Sequence, residues 1–122
     1  MAELRYREAL NAALCEEMQR DDRVLIMGED IGVFNGAFKV TAGLLDEFGE
    51  KRVRDTPISE NTIVGIGVGA AMTGLRPIVE LMTVNFSLLA MDQLVNHMST
   101  IHYMFGGQVK VPRVIRMPGT CR

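Results

Sequence analysis

Between Thr62 and Met72 the chain carries no charged residue, and Gly65, Gly67 and Gly69 punctuate the run. A helix that is apolar all round must be buried on every side. At 122 residues the chain is one domain at most. It cannot easily surround that helix while also covering both faces of a sheet. The run therefore predicts an unusually tight interior contact or a surface completed by a partner. Mid-helix glycine costs up to about 1 kcal/mol relative to alanine, so close backbone approach is the expected compensation. Gly65 and Gly69 share one face, with Gly67 near Ala70 and Ala71, which predicts a second helix lying almost against this one. A dinucleotide loop is excluded, because it needs a strand running straight into its glycines and a wider final spacing.

Directly before this run stands Asp55-Thr-Pro-Ile-Ser-Glu60. Pro57 bends the chain, Ser59 is a good N-cap residue, and Glu60 falls in the first helical turn, where the helix dipole and free N–H groups favour an anion. From these residues alone, Glu60 either completes the cap or carries chemistry.

The remainder alternates helix and strand. Tyr6, Leu10, Leu14 and Met18 recur every four residues and predict a surface helix with one apolar stripe, ended by Asp21-Asp22. Val24-Leu-Ile-Met27 reads as a strand buried on both faces. Gly28-Glu29-Asp30 then follows at its carboxyl end, where open α/β sheets place their ligands. The loop from Ile31 to Val40 carries Phe34 and Phe38, apolar residues that ask for a cover. Thr41 is expected to cap a short helix through Leu44, Leu45 and Phe48, stopped by Gly49. Lys51 to Arg54 predicts a short polar strand, and Pro77 to Met82 another strand. Ser87 is expected to cap a long helix through Leu88, Met91, Val95, Met98 and His102, closed by Gly106-Gly107. Its two histidines, His97 and His102, are five apart, and a helical metal pair needs three or four. Val111 to Arg116 predicts a final strand. Such alternation predicts an α/β fold, a parallel sheet with helices on both faces.

The formal charge is -2 with acids and bases interspersed, which gives no electrostatic basis for binding nucleic acid or an anionic membrane. No stretch reaches the roughly 18 consecutive apolar residues of a membrane span. Cys15 and Cys121 lie far apart without metal-ligand spacing and read as reduced thiols. With no apolar signal core at Met1-Ala-Glu-Leu-Arg, the expectation is a soluble cytoplasmic domain.

Several stretches together carry a resemblance: Met27-Gly-Glu-Asp-Ile-Gly, Asp55-Thr-Pro-Ile-Ser-Glu, Gly67-Val-Gly-Ala-Ala-Met-Thr-Gly-Leu-Arg-Pro-Ile, Glu80-Leu-Met-Thr-Val-Asn-Phe, Met91-Asp-Gln and Tyr103-Met-Phe-Gly-Gly. In this order they closely resemble the beta subunit of the first component of thiamine-diphosphate-dependent 2-oxo acid dehydrogenase complexes, most like the pyruvate dehydrogenase branch. The resemblance implies that residues 1–122 are a partial pyrimidine-binding domain, binding cofactor across an interface with an alpha subunit. It also implies a second beta subunit in a heterotetramer, a lipoyl acyltransferase core as further partner, and a place next to glycolysis. Glu60 matches the family's catalytic glutamate, which hydrogen-bonds a ring nitrogen of the aminopyrimidine and favours its imino tautomer, the base for the thiazolium carbon. Met82 and Phe86 match the pyrimidine pocket; on their own they read as core packing. Glu29 matches an acid lining a proton path between two active sites. Arg113 falls where the family offers a backbone carbonyl to a structural potassium ion.

The family's chain is longer. Its catalytic histidine would fall beyond Arg122, its diphosphate–magnesium site belongs to the alpha subunit, and Met117-Pro-Gly-Thr-Cys-Arg departs from its usual continuation. The chain is thus expected to be an amino-terminal fragment or truncated product, inactive alone. Another thiamine enzyme, such as an acetoin dehydrogenase or a transketolase-like protein, and a non-catalytic module that binds the alpha subunit are the alternatives.

Overall fold

A computed structural model describes residues 4–119. The architecture is α/β, with four strands, β1 (Val24–Gly28), β2 (Val53–Asp55), β3 (Arg76–Glu80) and β4 (Val114–Arg116). All neighbours pair in parallel, in the order β2-β1-β3-β4. The α-helices are α1 (Tyr6–Arg20), α2 (Leu44–Phe48), α3 (Glu60–Met72) and α4 (Ile101–Met104).

Side chains alternate across a strand, and β1 uses both directions. Val24 and Ile26 join Met18 of α1, Leu44 of α2, Val53 and Ile78 in one core. Leu25 and Met27 join Ile63, Val64 and Val68 of α3, Val79, Leu81 and Ile101 in the other. Every residue of β1 is buried, and the sheet is covered on both faces, as the alternation predicts.

Several local expectations are corrected. The stripe of α1 docks only through its carboxyl half: Met18 is fully buried, whereas Tyr6 is 81% exposed. Midway along α1, Asn11 uses its amide to donate to the carbonyls of Val40 and Ala42, so a polar group there holds the following loop. The last turn of α1 is closed by Arg52, whose guanidinium donates to the carbonyls of Met18 and Asp21, a cation at the negative end of the helix. Thr41 does not cap α2. Its hydroxyl donates to the Ile31 carbonyl at 2.6 Å and ties down the preceding loop. Ser59 occupies the N-cap of α3 without capping it through its side chain, because its hydroxyl donates to Thr62 Oγ1 at 2.7 Å.

The long helix expected after Ser87 is broken into a 3-10 helix (Val84–Ala90), a π-helix (Asp92–Met98) and α4. Ser87 lies inside the first of these and donates to the Val84 carbonyl. Serine and threonine hydroxyls that bond back to carbonyls in their own turn loosen helical winding, and Ser99 and Thr100 do the same to Val95 and Asn96.

The apolar run forms α3 but is not surrounded. Ile63, Val64, Gly67, Val68 and Ala71 are buried, while Ile66 and Met72 are 54% and 39% exposed. Close approach occurs at Gly67 against Val79 of the sheet and at Gly65 against Gln93 of the π-helix; Gly69 meets nothing. The helix contact thus holds at Gly65 and fails at Gly69. Cys15 is a free thiol, raised above its ordinary pKa by burial and by Glu47. The reading of Cys121 lies outside the described residues.

Candidate functional site

Strand order reverses between β1 and β3: the chain leaves β1 for β2 on one side and returns through α3 to β3 on the other. In open parallel sheets the crevice outside the carboxyl ends at such a reversal is the ligand position. Register brings three strand ends level there, Gly28 opposite both Asp55 and Glu80. The acids that follow or close these strands therefore collect at one end of the sheet.

Glu60 is the first residue of α3 and is only 6% exposed. The Pro57 turn delivers it there straight from β2. Glu29 follows β1 and is 7% exposed, and its Oε1 is buried with no hydrogen-bond partner among the described residues. Burial, together with the nearby Glu60 and Asp30 carboxylates, pushes the Glu29 carboxyl above its ordinary value. Loss of solvent and a like charge nearby both favour the protonated form of a carboxyl.

Glu80, at the end of β3, is also buried but is neutralised by Arg116 of β4 in an ion pair. It belongs to the scaffold. Two backbone bonds from the β4 side, Leu81 N–H to the Arg116 carbonyl and Val84 N–H to the Pro118 carbonyl, both 3.0 Å, hold the segment that carries Met82 and Phe86. That segment leads into the 3-10 helix packed on α3. Met82 is half-buried and Phe86 is 40% exposed.

Arg113 is not brought to this end. It precedes β4, so it lies at the opposite, amino-terminal end of the parallel sheet. Its Nη1 donates to the Val111 carbonyl at 2.6 Å, and burial lowers its pKa. The histidines are likewise apart: His97 lies beside Asp92, and His102 Nδ1 is 2.8 Å from the Val109 carbonyl. Among the described residues no group of three or more His, Cys, Asp or Glu side chains converges as a metal site.

One participant escaped the sequence reading. Asp55 accepts the N–H of Gly32 at Oδ1 (2.6 Å) and that of Val33 at Oδ2 (3.0 Å). An aspartate closing a strand just before a Thr-Pro turn was the available signal.

The surroundings are open and apolar. Val33 and Ile58 are each 82% exposed, and Leu88 is 74% exposed. These residues stand on the three connections leaving the strand ends, a density of exposed apolar side chains typical of a surface that meets another molecule. A cleft of about 470 Å³ lies between β1, β2 and α3, lined by Leu25, Met27, Ile63 and Ile66 and, from the turn that leads to Glu60, by Asp55, Thr56, Pro57 and Ser59, but by neither Glu60 nor Glu29. No helix among the described residues is long and apolar enough to cross a membrane.

The chain is similar to the pyruvate dehydrogenase E1 component subunit beta of Rickettsia bellii, 56% identical over 116 residues that make up 95% of this chain and 36% of that protein. It is 54% identical to the protein of the same name from Rhizobium meliloti, over 97% of this chain and 26% of the relative. It is 55% identical to the chloroplastic pyruvate dehydrogenase E1 component subunit beta-3 of Arabidopsis thaliana, over 96% of this chain and 29% of the relative. The chain thus spans between 26% and 36% of the length of these relatives. The family model described as the transketolase pyrimidine-binding domain matches residues 2–121, and the chain belongs to that family.

Proposed function

We propose that this chain is the amino-terminal, pyrimidine-binding part of a beta subunit in a thiamine-diphosphate-dependent pyruvate dehydrogenase, with Glu60 as its catalytic carboxylate. The observation that carries the reading is a buried glutamate opening a helix at the sheet's ligand end, beside a second buried acid with an orphaned oxygen. The names of the similar proteins support the same activity.

The residues fit an aminopyrimidine. Such a ring offers a basic nitrogen and an amino group, and Glu60 supplies an acceptor in a water-poor setting. Phe86 and Met82 supply an aromatic face and a soft thioether suited to a flat heterocycle. When bound, the cofactor supplies the electron sink for decarboxylating a 2-oxo acid and passing the acyl group to a lipoyl carrier. This chain's own work is narrower. Glu60 would hold a proton at the ring nitrogen and exchange it there as a general acid and base. Glu29, whose carboxyl burial and the Glu60 charge push above its ordinary value, would take up or return that proton along a path toward a second site. The exposed apolar connections Val33, Ile58 and Leu88 are to be covered by an alpha subunit that brings the diphosphate and its magnesium. A second beta subunit completing a heterotetramer and a lipoyl acyltransferase core complete the assembly. The Arg113 carbonyl remains our candidate ligand for a potassium ion, as a structural site remote from Glu60. A free thiol at Cys15 suits a reducing compartment such as the cytoplasm.

The test is a substrate panel on the assembled enzyme, with lipoyl domain as acyl acceptor. Pyruvate should be decarboxylated and the lipoyl group acetylated. Turnover of acetoin in preference to pyruvate would assign the neighbouring thiamine enzyme instead.

A further inference from the structure

We propose that Asp55 is a positioning residue for the Glu29–Glu60 site: its carboxylate pins the loop after β1 to the turn that leads into α3. This rests on the reading of Glu60 above.

The geometry is a double clamp. Oδ1 of Asp55 accepts the Gly32 N–H at 2.6 Å, and Oδ2 accepts the Val33 N–H at 3.0 Å. One residue on, the Thr56 N–H donates to the Gly28 carbonyl at 3.0 Å. Backbone and side chain together thus bind the segment flanking Glu29 to the segment that delivers Glu60. Charge-assisted bonds to consecutive backbone N–H groups are stronger than neutral ones and fix direction as well as distance.

The loop is braced internally. Asp30 sits at φ +54°, the Gly36 N–H donates to the Asp30 carbonyl at 2.8 Å, and Thr41 donates to the Ile31 carbonyl at 2.6 Å. Holding Gly32 and Val33 therefore holds Glu29 and Asp30 as well. Residue 32 must be small for the clamp to close, since a Cβ there would come within 2.9 Å of Asp55 Oδ2.

Fold and clamp are separable. Asp55 itself is exposed, and β1 and β2 are paired through Ile26–Val53 and Met27–Arg54 whatever stands at residue 55. Asparagine at 55 keeps one acceptor but turns an NH2 group toward the second N–H, so half the clamp is lost while the sheet remains.

The experiment compares Asp55→Asn, Gly32→Ala and Glu60→Gln with wild type in the assembled enzyme. It reads hydrogen exchange over residues 29–40, melting temperature, kcat and KM. Asp55→Asn should speed exchange in 29–40 and lower kcat, each by about tenfold or more, with KM and melting temperature nearly unchanged. Gly32→Ala should do the same more weakly. Unchanged exchange in 29–40, or wild-type kcat while Glu60→Gln is inactive, overturns the inference. A kcat lost only in proportion to lost folded assembly also overturns it. Full activity of Glu60→Gln would instead sink the reading of Glu60, and the exchange data would still decide whether Asp55 pins the loop.

Discussion

Gly67 of α3 lies so close to Val79 of β3 that a Cβ on residue 67 would stand 2.5 Å from Val79 Cγ2. Val79 is fully buried in the same core, so any shift of it displaces packed neighbours. Alanine would gain up to about 1 kcal/mol of helix propensity, but forcing a methyl group into a packed core costs about 1–3 kcal/mol. The clash wins. Gly67→Ala should lower stability, measured by chemical denaturation, and an unchanged midpoint would show that helix and sheet are less tightly packed.

Gly69 faces the other way, and a Cβ added there would meet nothing within 4 Å. Within this chain Gly69→Ala should therefore stabilise, by about 0.5–1 kcal/mol. Leucine at the same position should weaken association with a partner subunit, because Ile66 and Met72 nearby form an apolar surface left uncovered here. Light scattering on the mixed subunits checks this. Assembly indifferent to Gly69→Leu would mean that this face of α3 is not an interface.

The raised Glu29 pKa has a pH signature. Burial and the Glu60 and Asp30 carboxylates lift it above the 4.5 of a free side chain. Below that range Glu29 is protonated in both folded and unfolded states and adds no pH dependence. Stability is lost as pH rises through the folded-state value, where the buried group must ionise. Glu29→Gln should therefore melt at the same temperature as wild type near about pH 4 and at a higher temperature at neutral pH. Parallel melting curves across that range would mean that Glu29 ionises freely.

Arg116 and Glu80 form a buried ion pair, with side chains 15% and 6% exposed. Removing one partner from such a pair costs about 3–5 kcal/mol, while replacing both by apolar groups is often neutral. Arg116→Met should be strongly destabilising, and adding Glu80→Leu should restore much of the loss. Additive losses in that double-mutant cycle would show the two groups acting independently.

The parallel sheet and its two covered faces were legible because Val24–Met27 is a continuous apolar strand and α3 an uncharged helix. The buried place of Glu60 in the first turn of α3 was legible for the same reason, as the lone acid at the mouth of that helix. The broken helix after Ser87 was not, because its apolar period is regular, and the hydroxyls at 87, 99 and 100 that bond back to carbonyls in the preceding turn leave no mark on that period. Thr41 and Ser59 misled in a related way: each hydroxyl found a tertiary or side-chain partner in place of the helix N-terminus. The Asp55 clamp joins loop residues 22 and 23 positions away, and no periodicity encodes a contact of that range.

The most direct measurement is turnover of the assembled enzyme carrying Glu60→Gln. An amide is nearly isosteric with the carboxylate but cannot exchange a proton. The fold should persist, and pyruvate turnover should fall by about a hundredfold to ten-thousandfold. Turnover near wild type, with the cofactor bound, would remove Glu60 from the mechanism and contradict the account.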